Sequence, residues 1–183
     1  MRKVCVFCSS HTDLPSPVVE AARSLGRALG QAGLTLVFGG SRRGLMEVLA
    51  TAVKQNGGRV VGVIPRYMVE LGGASQCCDE VIEVDDLCTR KQRMIAEADC
   101  FVALPGGVGT LDELTAVYAS SVVGEHRKPM YVVNIGRYWT PLLSVFRHFE
   151  ESGMSRMGLF GKRVNVVNTV DELVELLKEA KEA

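Results

Sequence analysis

The amino-acid sequence predicts an α/β fold in which a mostly parallel sheet of about seven strands carries helices on both faces. Short runs rich in β-branched residues alternate with helical patterns along the chain, which is typical of parallel strands connected by helices. Several runs are entirely apolar, as expected for strands buried on both faces. A chain of 183 residues, 47% of them hydrophobic, is long enough for one core. We therefore expect residues 1–183 to form a single doubly wound domain.

The individual elements follow from local patterns. The predicted strands, in chain order, are Val4–Cys8, Thr35–Phe38, Val60–Ile64, Glu80–Val84, Cys100–Leu104, Met130–Asn134 and Val164–Val167. The first helix should begin at Pro17 with Ser16 as its cap, and Gly33 should end it. The last helix opens with Thr169-x-x-Glu172, the pattern of a capping box.

The charge balance excludes several classes of partner. With 21 basic and 21 acidic residues the formal net charge is zero, so the chain lacks the field that non-specific binding to nucleic acid or anionic lipid would use.

No segment approaches the roughly 18 apolar residues that a membrane-spanning helix needs. The apolar run Val4–Cys8 is also too short for a secretory signal. We expect a cytoplasmic protein with a small-molecule partner.

The six cysteines raise the question of a metal or redox site, because Cys5-x-x-Cys8 has a suggestive spacing. Both residues fall on a predicted strand, no second pair follows at ligand spacing, and the three histidines are far apart. We expect reduced cysteines that act as small core residues, with no metal ligands, and redox or metal chemistry as the alternative.

Two glycine-rich loops follow predicted strands and open helices. They are Gly39-Gly40-Ser41-Arg42-Arg43-Gly44 and Pro105-Gly106-Gly107-Val108-Gly109-Thr110. In doubly wound sheets ligands bind beyond the carboxyl ends of the strands, and a helix start with glycines attracts phosphate. Either loop alone could be only a tight turn. The patterns for dinucleotides and for P-loops are absent, which leaves a mononucleotide or a sugar phosphate.

Two charged residues lie near these loops. Glu113 follows the second loop, where it could face a bound sugar or could form a capping box with Thr110. Arg90 and Lys91 open the preceding helix, where they could contact phosphate or ribose or could belong to a solvated basic face.

These segments together resemble the LONELY GUY (LOG) family of cytokinin riboside 5′-monophosphate phosphoribohydrolases, often labelled possible lysine decarboxylases. The matching segments are Val6–Ser10, Gly39-Gly40 with Gly44-Leu45-Met46, Arg90-Lys91, Lys128-Pro129 and Pro105-Gly106-Gly107-Val108-Gly109-Thr110-Leu111-Asp112-Glu113, which reproduces the family pattern P-G-G-x-G-T-x-x-E. The resemblance implies a Rossmann-like homodimer that needs no cofactor and releases the base from a nucleoside 5′-monophosphate. It places Arg90 and Glu113 in catalytic roles. The implied substrate-binding residues are Ser9, Gly39, Gly40, Gly44, Leu45, Met46, Lys91, Gly106, Gly107, Gly109 and Thr110.

The chain departs from the family pattern in places that concern the base-binding pocket. Ser41 stands where a third glycine is common, Leu87-Cys88-Thr89 precedes Arg90, and Ser120-Ser121 stands where many members have a nearby tryptophan. Two other functions remain as alternatives. One is a non-catalytic carrier of a phosphorylated cofactor or nucleotide, as in molybdenum-cofactor carriers. The other is a pyridoxal-phosphate decarboxylase, disfavoured because the chain is short and no lysine stands out at a strand end as a Schiff-base candidate beside a pyridinium partner.

Overall fold

The structure is a computed structural model that describes residues 2–182, with side chains for residues 2–180. Its strands are β1 Lys3–Phe7, β2 Thr35–Phe38, β3 Arg59–Pro65, β4 Glu80–Val84, β5 Cys100–Ala103, β6 Met130–Val133 and β7 Val164–Val167. Its helices are α1 Ser16–Gln31, α2 Gly44–Gln55, α3 Arg66–Glu70, α4 Leu87–Glu97, α5 Val108–Val122, α6 Thr140–Glu151, α7 Leu159–Arg163 and α8 Val170–Glu182. A 3₁₀ turn at Ile135–Arg137 follows β6.

The seven strands form one sheet in the order β4-β3-β2-β1-β5-β6-β7. Every strand pair is parallel. This confirms the predicted α/β class and all seven predicted strands, and the sheet is parallel throughout rather than mostly so. The strand order reverses between β1 and β5, where connections leave toward opposite faces and open a crevice.

Helices cover both faces of the sheet, and each face has its own hydrophobic core. Along β1, Val4 and Val6 belong to the core beneath α1, α2 and α8, whereas Cys5 and Phe7 belong to the core beneath α4 and α5. This alternation follows from the two-residue period of a strand. Strands that are buried on both faces must be apolar at every position, which is why the sequence pattern identified them.

The helix ends agree with the sequence only in part. Ser16 is the first residue of α1 and makes no capping hydrogen bond; Pro15 takes the cap position instead, so the predicted cap was wrong. At the other end of the chain one half of the capping box is confirmed, the bond to Thr169, whereas the Glu172 carboxylate bonds the N–H of the preceding residue instead of that of Thr169. The Glu172 N–H donates to Thr169 Oγ1 at 3.2 Å, and the Glu172 carboxylate accepts from the Asn168 N–H at 2.8 Å.

The cysteines are all free thiols in the part of the chain that the structure describes. Cys5, Cys8 and Cys100 are buried in the cores, as predicted, although Cys8 lies just beyond β1 rather than within it. Cys88 is exposed, which contradicts a core role for that residue. Among residues 2–182 no helix is long and apolar enough to cross a bilayer.

Candidate functional site

A cleft of about 440 Å³ lies at the carboxyl edge of the sheet, next to the point where the strand order reverses. The loop after β1, the loop after β2, helices α3 and α4, and the start of α5 line it. The lining residues are Cys8, Ser9, Ser10, His11, Ser41, Arg43, Met46, Tyr67, Met68, Leu87, Arg90, Gly107, Val108, Gly109, Thr110 and Glu113. Five separate segments therefore meet at the edge where doubly wound folds bind ligands.

The start of α5 is built to receive an anion. Gly107 is the N-cap, and the N–H of Leu111 makes the first intrahelical bond, to the Gly107 carbonyl at 3.0 Å. The N–H groups of residues 107–110 precede this bond, so they have no partner within the helix. We call these four groups the amide cup. Free N–H groups at a helix N-terminus attract phosphate by hydrogen bonding and by the helix dipole.

Two glycines of the amide cup leave room for a ligand. A Cβ placed on Gly107 or Gly109 would meet no atom within 4 Å apart from the adjacent chain, and neither residue has a positive φ. Backbone conformation therefore does not require glycine at either position. The missing side chains instead keep the space in front of the amide cup open.

Thr110 completes the amide cup with a hydroxyl. Its side chain is 2% exposed, and its Oγ1 atom is buried without a hydrogen-bond partner in the part of the chain that is described. A Cβ on Gly106 would lie 2.1 Å from this oxygen, so close approach is what requires glycine at position 106. An unpartnered buried hydroxyl is costly, so Thr110 Oγ1 is a candidate contact for a ligand in the cleft.

A buried ion pair lies beside the amide cup. Arg90 Nη2 donates to Glu113 Oε1 at 2.6 Å, with the two side chains only 14% and 9% exposed. Helix α4 holds Arg90 in place because Asp86 caps it, accepting from the Thr89 N–H at 2.7 Å. A Cβ on Gly39 would lie 3.3 Å from Arg90 Nη1, so glycine after β2 gives the guanidinium its space.

The position of Glu113 decides between two interpretations of its motif. Helix α5 begins at Val108 and has no side-chain cap, so Thr110 lies inside the helix and the proposed capping box with Glu113 was wrong. Burial raises the pKa of Glu113 to about 7 from an ordinary value of 4.5, although the Arg90 charge acts in the opposite direction. A carboxyl that titrates near neutrality is suited to proton transfer.

This raised pKa predicts a pH-dependent stability. A carboxyl whose pKa is raised in the folded state contributes stability that is fully present below pH 4.5. This stability is lost as the pH rises through about 7. We expect the free energy of unfolding to fall on the order of 3 kcal/mol across this window. Urea unfolding at pH 5 and pH 8 measures the change. Glu113→Gln should remove most of it, and an equal fall in both proteins would contradict the assignment.

The other cations of α4 have different partners. Lys91 Nζ donates to Asp112 Oδ1 at 2.7 Å. Arg93 Nη2 lies 2.7 Å from Glu97 Oε1, and the Arg93 side chain is 49% exposed. Arg93 therefore belongs to a solvated basic face, whereas Arg90 does not. The two contacts of Arg90 and Lys91 with α5 join the helices beside the cleft.

The first glycine loop has a different role from the second. Gly44 has a φ of +58°, and a Cβ there would lie 2.3 Å from the His11 carbonyl oxygen, so this glycine packs the loop against the segment after β1. The Leu45 N–H donates to the Ser9 carbonyl at 2.9 Å, and the Arg42 N–H donates to the Gly73 carbonyl. These amides are already used within the protein. The loop supplies side chains to the cleft, among them Ser41 and Arg43.

The sequence-predicted site residues therefore fall into two groups. The cleft brings together Ser9, Met46, Arg90, Gly107, Gly109, Thr110 and Glu113. Outside its lining lie Gly39, Gly40, Gly44, Lys91 and Gly106, which shape or support it, and Leu45, whose side chain is buried in the core. Sequence reasoning did not select His11, Arg43, Tyr67, Met68 or Val108. All five follow the carboxyl end of a strand, which is the signal that could have found them.

Comparison with known proteins agrees with this geometry. Residues 46–177 match the model of a protein family described as "Possible lysine decarboxylase", and these residues are more than half of the chain. The chain belongs to this family. A probable cytokinin riboside 5′-monophosphate phosphoribohydrolase of Oryza sativa subsp. japonica is 38% identical over 97% of the chain and 72% of its own length. A cytokinin riboside 5′-monophosphate phosphoribohydrolase of Arabidopsis thaliana is 37% identical over 94% of the chain and 77% of its own length.

These relatives confirm the resemblance to the LOG family. Solved structures of more distant proteins share the fold of this chain. A molybdenum cofactor binding protein from Rippkaea orientalis superposes with a TM-score of 0.75 at 21% identity, covering 98% of this chain and 96% of that one. A molybdenum cofactor carrier protein from Chlamydomonas reinhardtii gives 0.76 at 19% identity, covering 100% and 99%. At these identities the likeness concerns the fold alone.

Proposed function

We propose that the protein hydrolyses the N-glycosidic bond of a nucleoside 5′-monophosphate, releasing the free base and ribose 5-phosphate. The observation that carries the proposal is the buried Arg90–Glu113 pair directly beside the amide cup. The names of the relatives support the same reaction, since they act as cytokinin riboside 5′-monophosphate phosphoribohydrolases. A cytokinin riboside 5′-monophosphate or AMP is therefore the proposed substrate.

The amide cup and Thr110 hold the 5′-phosphate in this proposal. Free N–H groups at the start of α5 and the unpartnered Thr110 hydroxyl supply the donors. Binding the phosphate fixes the sugar relative to the protein, so that the reacting carbon stays in one position. The open space in front of Gly107 and Gly109 lets phosphate approach the backbone.

Glu113 and Arg90 act on the sugar. Breaking the bond between C1′ and the base nitrogen builds positive charge on the ribose ring, and the Glu113 carboxylate stabilises that charge. The same carboxylate orients a water molecule and accepts its proton as the water oxygen bonds to C1′. The bonding electrons leave with the base, which takes up a proton. Arg90 holds Glu113 in place through their direct hydrogen bond. It anchors the sugar from the same side as Glu113, where its remaining guanidinium N–H groups bind ribose hydroxyls.

The test is a product assay on the full chain. Purified protein is incubated with AMP and, separately, with N6-prenylated AMP, and free base is measured by chromatography. Release of base and ribose 5-phosphate in equal amounts is expected. Nucleotide binding without release of base would overturn the proposal and favour the carrier function that the fold neighbours raise.

A pyridoxal-phosphate decarboxylase fits the site poorly, although the family description mentions lysine decarboxylase. Such enzymes need a lysine that forms a Schiff base with the cofactor. No lysine is among the residues that line the cleft in the described chain, and Lys91 is paired with Asp112. The residues of this site therefore do not fit the cofactor.

Gly109→Ala provides a test of the amide cup. Alanine is the better helix former by up to about 1 kcal/mol, so the variant should be at least as stable as the wild type. The added methyl group would occupy the space that the phosphate needs, and we expect the Kd for AMP to rise at least about tenfold. Calorimetric titration and thermal denaturation measure the two effects.

Gly161→Ala is the matched control. Gly161 lies in α7, lacks a positive φ and also has free space around it, so alanine should have a similar effect on stability without changing the Kd for AMP. Unchanged AMP binding by the Gly109 variant would show that phosphate does not approach the amide cup.

We further propose a homodimer that works in the cytoplasm, as the family resemblance implies. Large apolar side chains at the rim of the cleft support pairing near this edge, because Tyr67, Leu87 and Val108 are exposed. Sedimentation of the purified chain measures its mass in solution, and a monomer at assay concentrations would contradict the dimer.

A further inference from the structure

The turn after β6 has an unusual backbone. Gly136 and Arg137 are both left-handed, with φ values of 57° and 64°. Arg137 is the one residue other than glycine with a positive φ in the described part of the chain. Side chains with a Cβ avoid this region unless the surrounding structure imposes it.

Buried contacts on either side impose this turn. The Asn134 Oδ1 atom accepts from the Trp139 N–H at 2.7 Å, and the Asn134 carbonyl accepts from the Arg137 N–H at 3.0 Å. The Asn134 N–H in turn donates to the Val167 carbonyl of β7 at 2.7 Å. Since Asn134 and Trp139 are both buried, the turn is anchored to the sheet and to the core.

The turn presents Tyr138 to the second glycine loop. The Tyr138 hydroxyl donates to the Gly106 carbonyl at 2.7 Å across 32 residues of sequence. The ring packs edge-on against Trp139, with their centroids 5.0 Å apart. Tyr138 lines a neighbouring cavity of about 230 Å³, which shares Ser9, His11 and Gly107 with the cleft, and Tyr138 is itself absent from the lining of the cleft. Its hydroxyl therefore contacts the loop from outside the cleft lining.

The Gly106 carbonyl and the Gly107 N–H belong to one peptide plane. The described chain contains no cis peptide, so these two groups point in opposite directions. A hydroxyl that holds the carbonyl on one side thereby directs the N–H toward the other. A peptide between two glycines can flip at little steric cost, because neither residue carries a Cβ. The hydrogen bond from Tyr138 opposes that flip.

We propose that Tyr138 is a positioning residue that locks the Gly106–Gly107 peptide so that the Gly107 N–H faces the phosphate. The inference rests on the proposed function, since it assumes that the amide cup binds the 5′-phosphate. Tyr138 itself does not touch the substrate. Its hydroxyl acts through the backbone, and the left-handed turn at Gly136–Arg137 places that hydroxyl within hydrogen-bond distance of the Gly106 carbonyl.

Tyr138→Phe tests this role because it removes the hydroxyl and keeps the ring contact. The Kd for ribose 5-phosphate, measured by calorimetric titration of the full chain, should rise about fivefold, as expected for one lost hydrogen bond. In turnover of AMP, KM should rise while kcat changes little, because the phosphate is held equally in the ground and transition states. The melting temperature checks that the variant is folded.

Tyr118→Phe is the matched control, since its ring packs against Phe146 and Phe160 away from the amide cup. It should bind ribose 5-phosphate as the wild type does. A Kd within twofold of wild type for Tyr138→Phe, or an equal rise in both variants, would overturn the inference. If the wild type binds ribose 5-phosphate but releases no base, the proposed reaction fails while the role of Tyr138 can still be measured.

Discussion

Glu113→Gln should lower kcat for base release at least about a hundredfold and change the Kd for AMP by less than about threefold. Glutamine has nearly the same shape and can still accept the hydrogen bond from Arg90, so the cleft should keep its geometry. It carries no negative charge to stabilise the ribosyl cation and cannot take a proton from water. Steady-state kinetics and calorimetric titration separate these two effects.

The pH profile supplies a second measure of the same residue. Because the ionised form of Glu113 is the active one, kcat/KM of the wild type should rise with pH through about 7. The residual activity of the glutamine variant should not show this rise with pH. Asp112→Asn is the control, since the neighbouring carboxylate is largely exposed and pairs with Lys91 rather than Arg90. Equal losses in the two variants would rule out a specific role for Glu113.

Arg90→Ala is expected to impair both stability and turnover. It leaves the Glu113 carboxylate buried without its partner, so the free energy of unfolding at pH 8 should fall by about 3 kcal/mol. The pKa of Glu113 should rise further, because the Arg90 charge now lowers it. We therefore expect kcat/KM to fall at least about a hundredfold at pH 7, and its rise with pH to occur at a higher pH than in the wild type.

Arg93→Ala is the matched control on the same helix. Arg93 is about half exposed and forms an i,i+4 pair with Glu97, and surface pairs of this kind contribute at most about 1 kcal/mol. This variant should retain wild-type kinetics. If Arg90→Ala unfolds at pH 7, Arg90→Lys keeps the charge without the planar fork and should show a smaller loss of the same kind. Wild-type kinetics in both Arg90 variants would contradict the proposed anchor.

The strands were predictable because their signal is local. A strand buried on both faces must be apolar at each position, so β1, β2 and β5 can be found from a few adjacent residues. The placement of the site was predictable for a related reason, since loops after parallel strands meet at one edge of the sheet. Helix caps were less predictable, as Ser16 shows, because several residues near a helix start can take the cap position.

The glycines show where local reasoning reached its limit. Gly44 and Gly109 belong to similar glycine-rich motifs, yet one is required by a positive φ and a close contact with His11, and the other leaves open space in the cleft. A sequence pattern records only that glycine is present. Whether it serves a turn, a close approach or a ligand depends on atoms from other segments.

The sequence by itself determined the α/β class, the positions of the seven strands and the two glycine-rich loops, since each depends on residues that are neighbours along the chain. The tertiary structure alone decided that Arg90 pairs with Glu113 across 23 residues and that Tyr138 reaches Gly106 across 32. It also decided that burial, rather than the nearby positive charge, sets the pKa of Glu113. The physical reason is that distance and desolvation are properties of the folded chain, and residue spacing does not encode them.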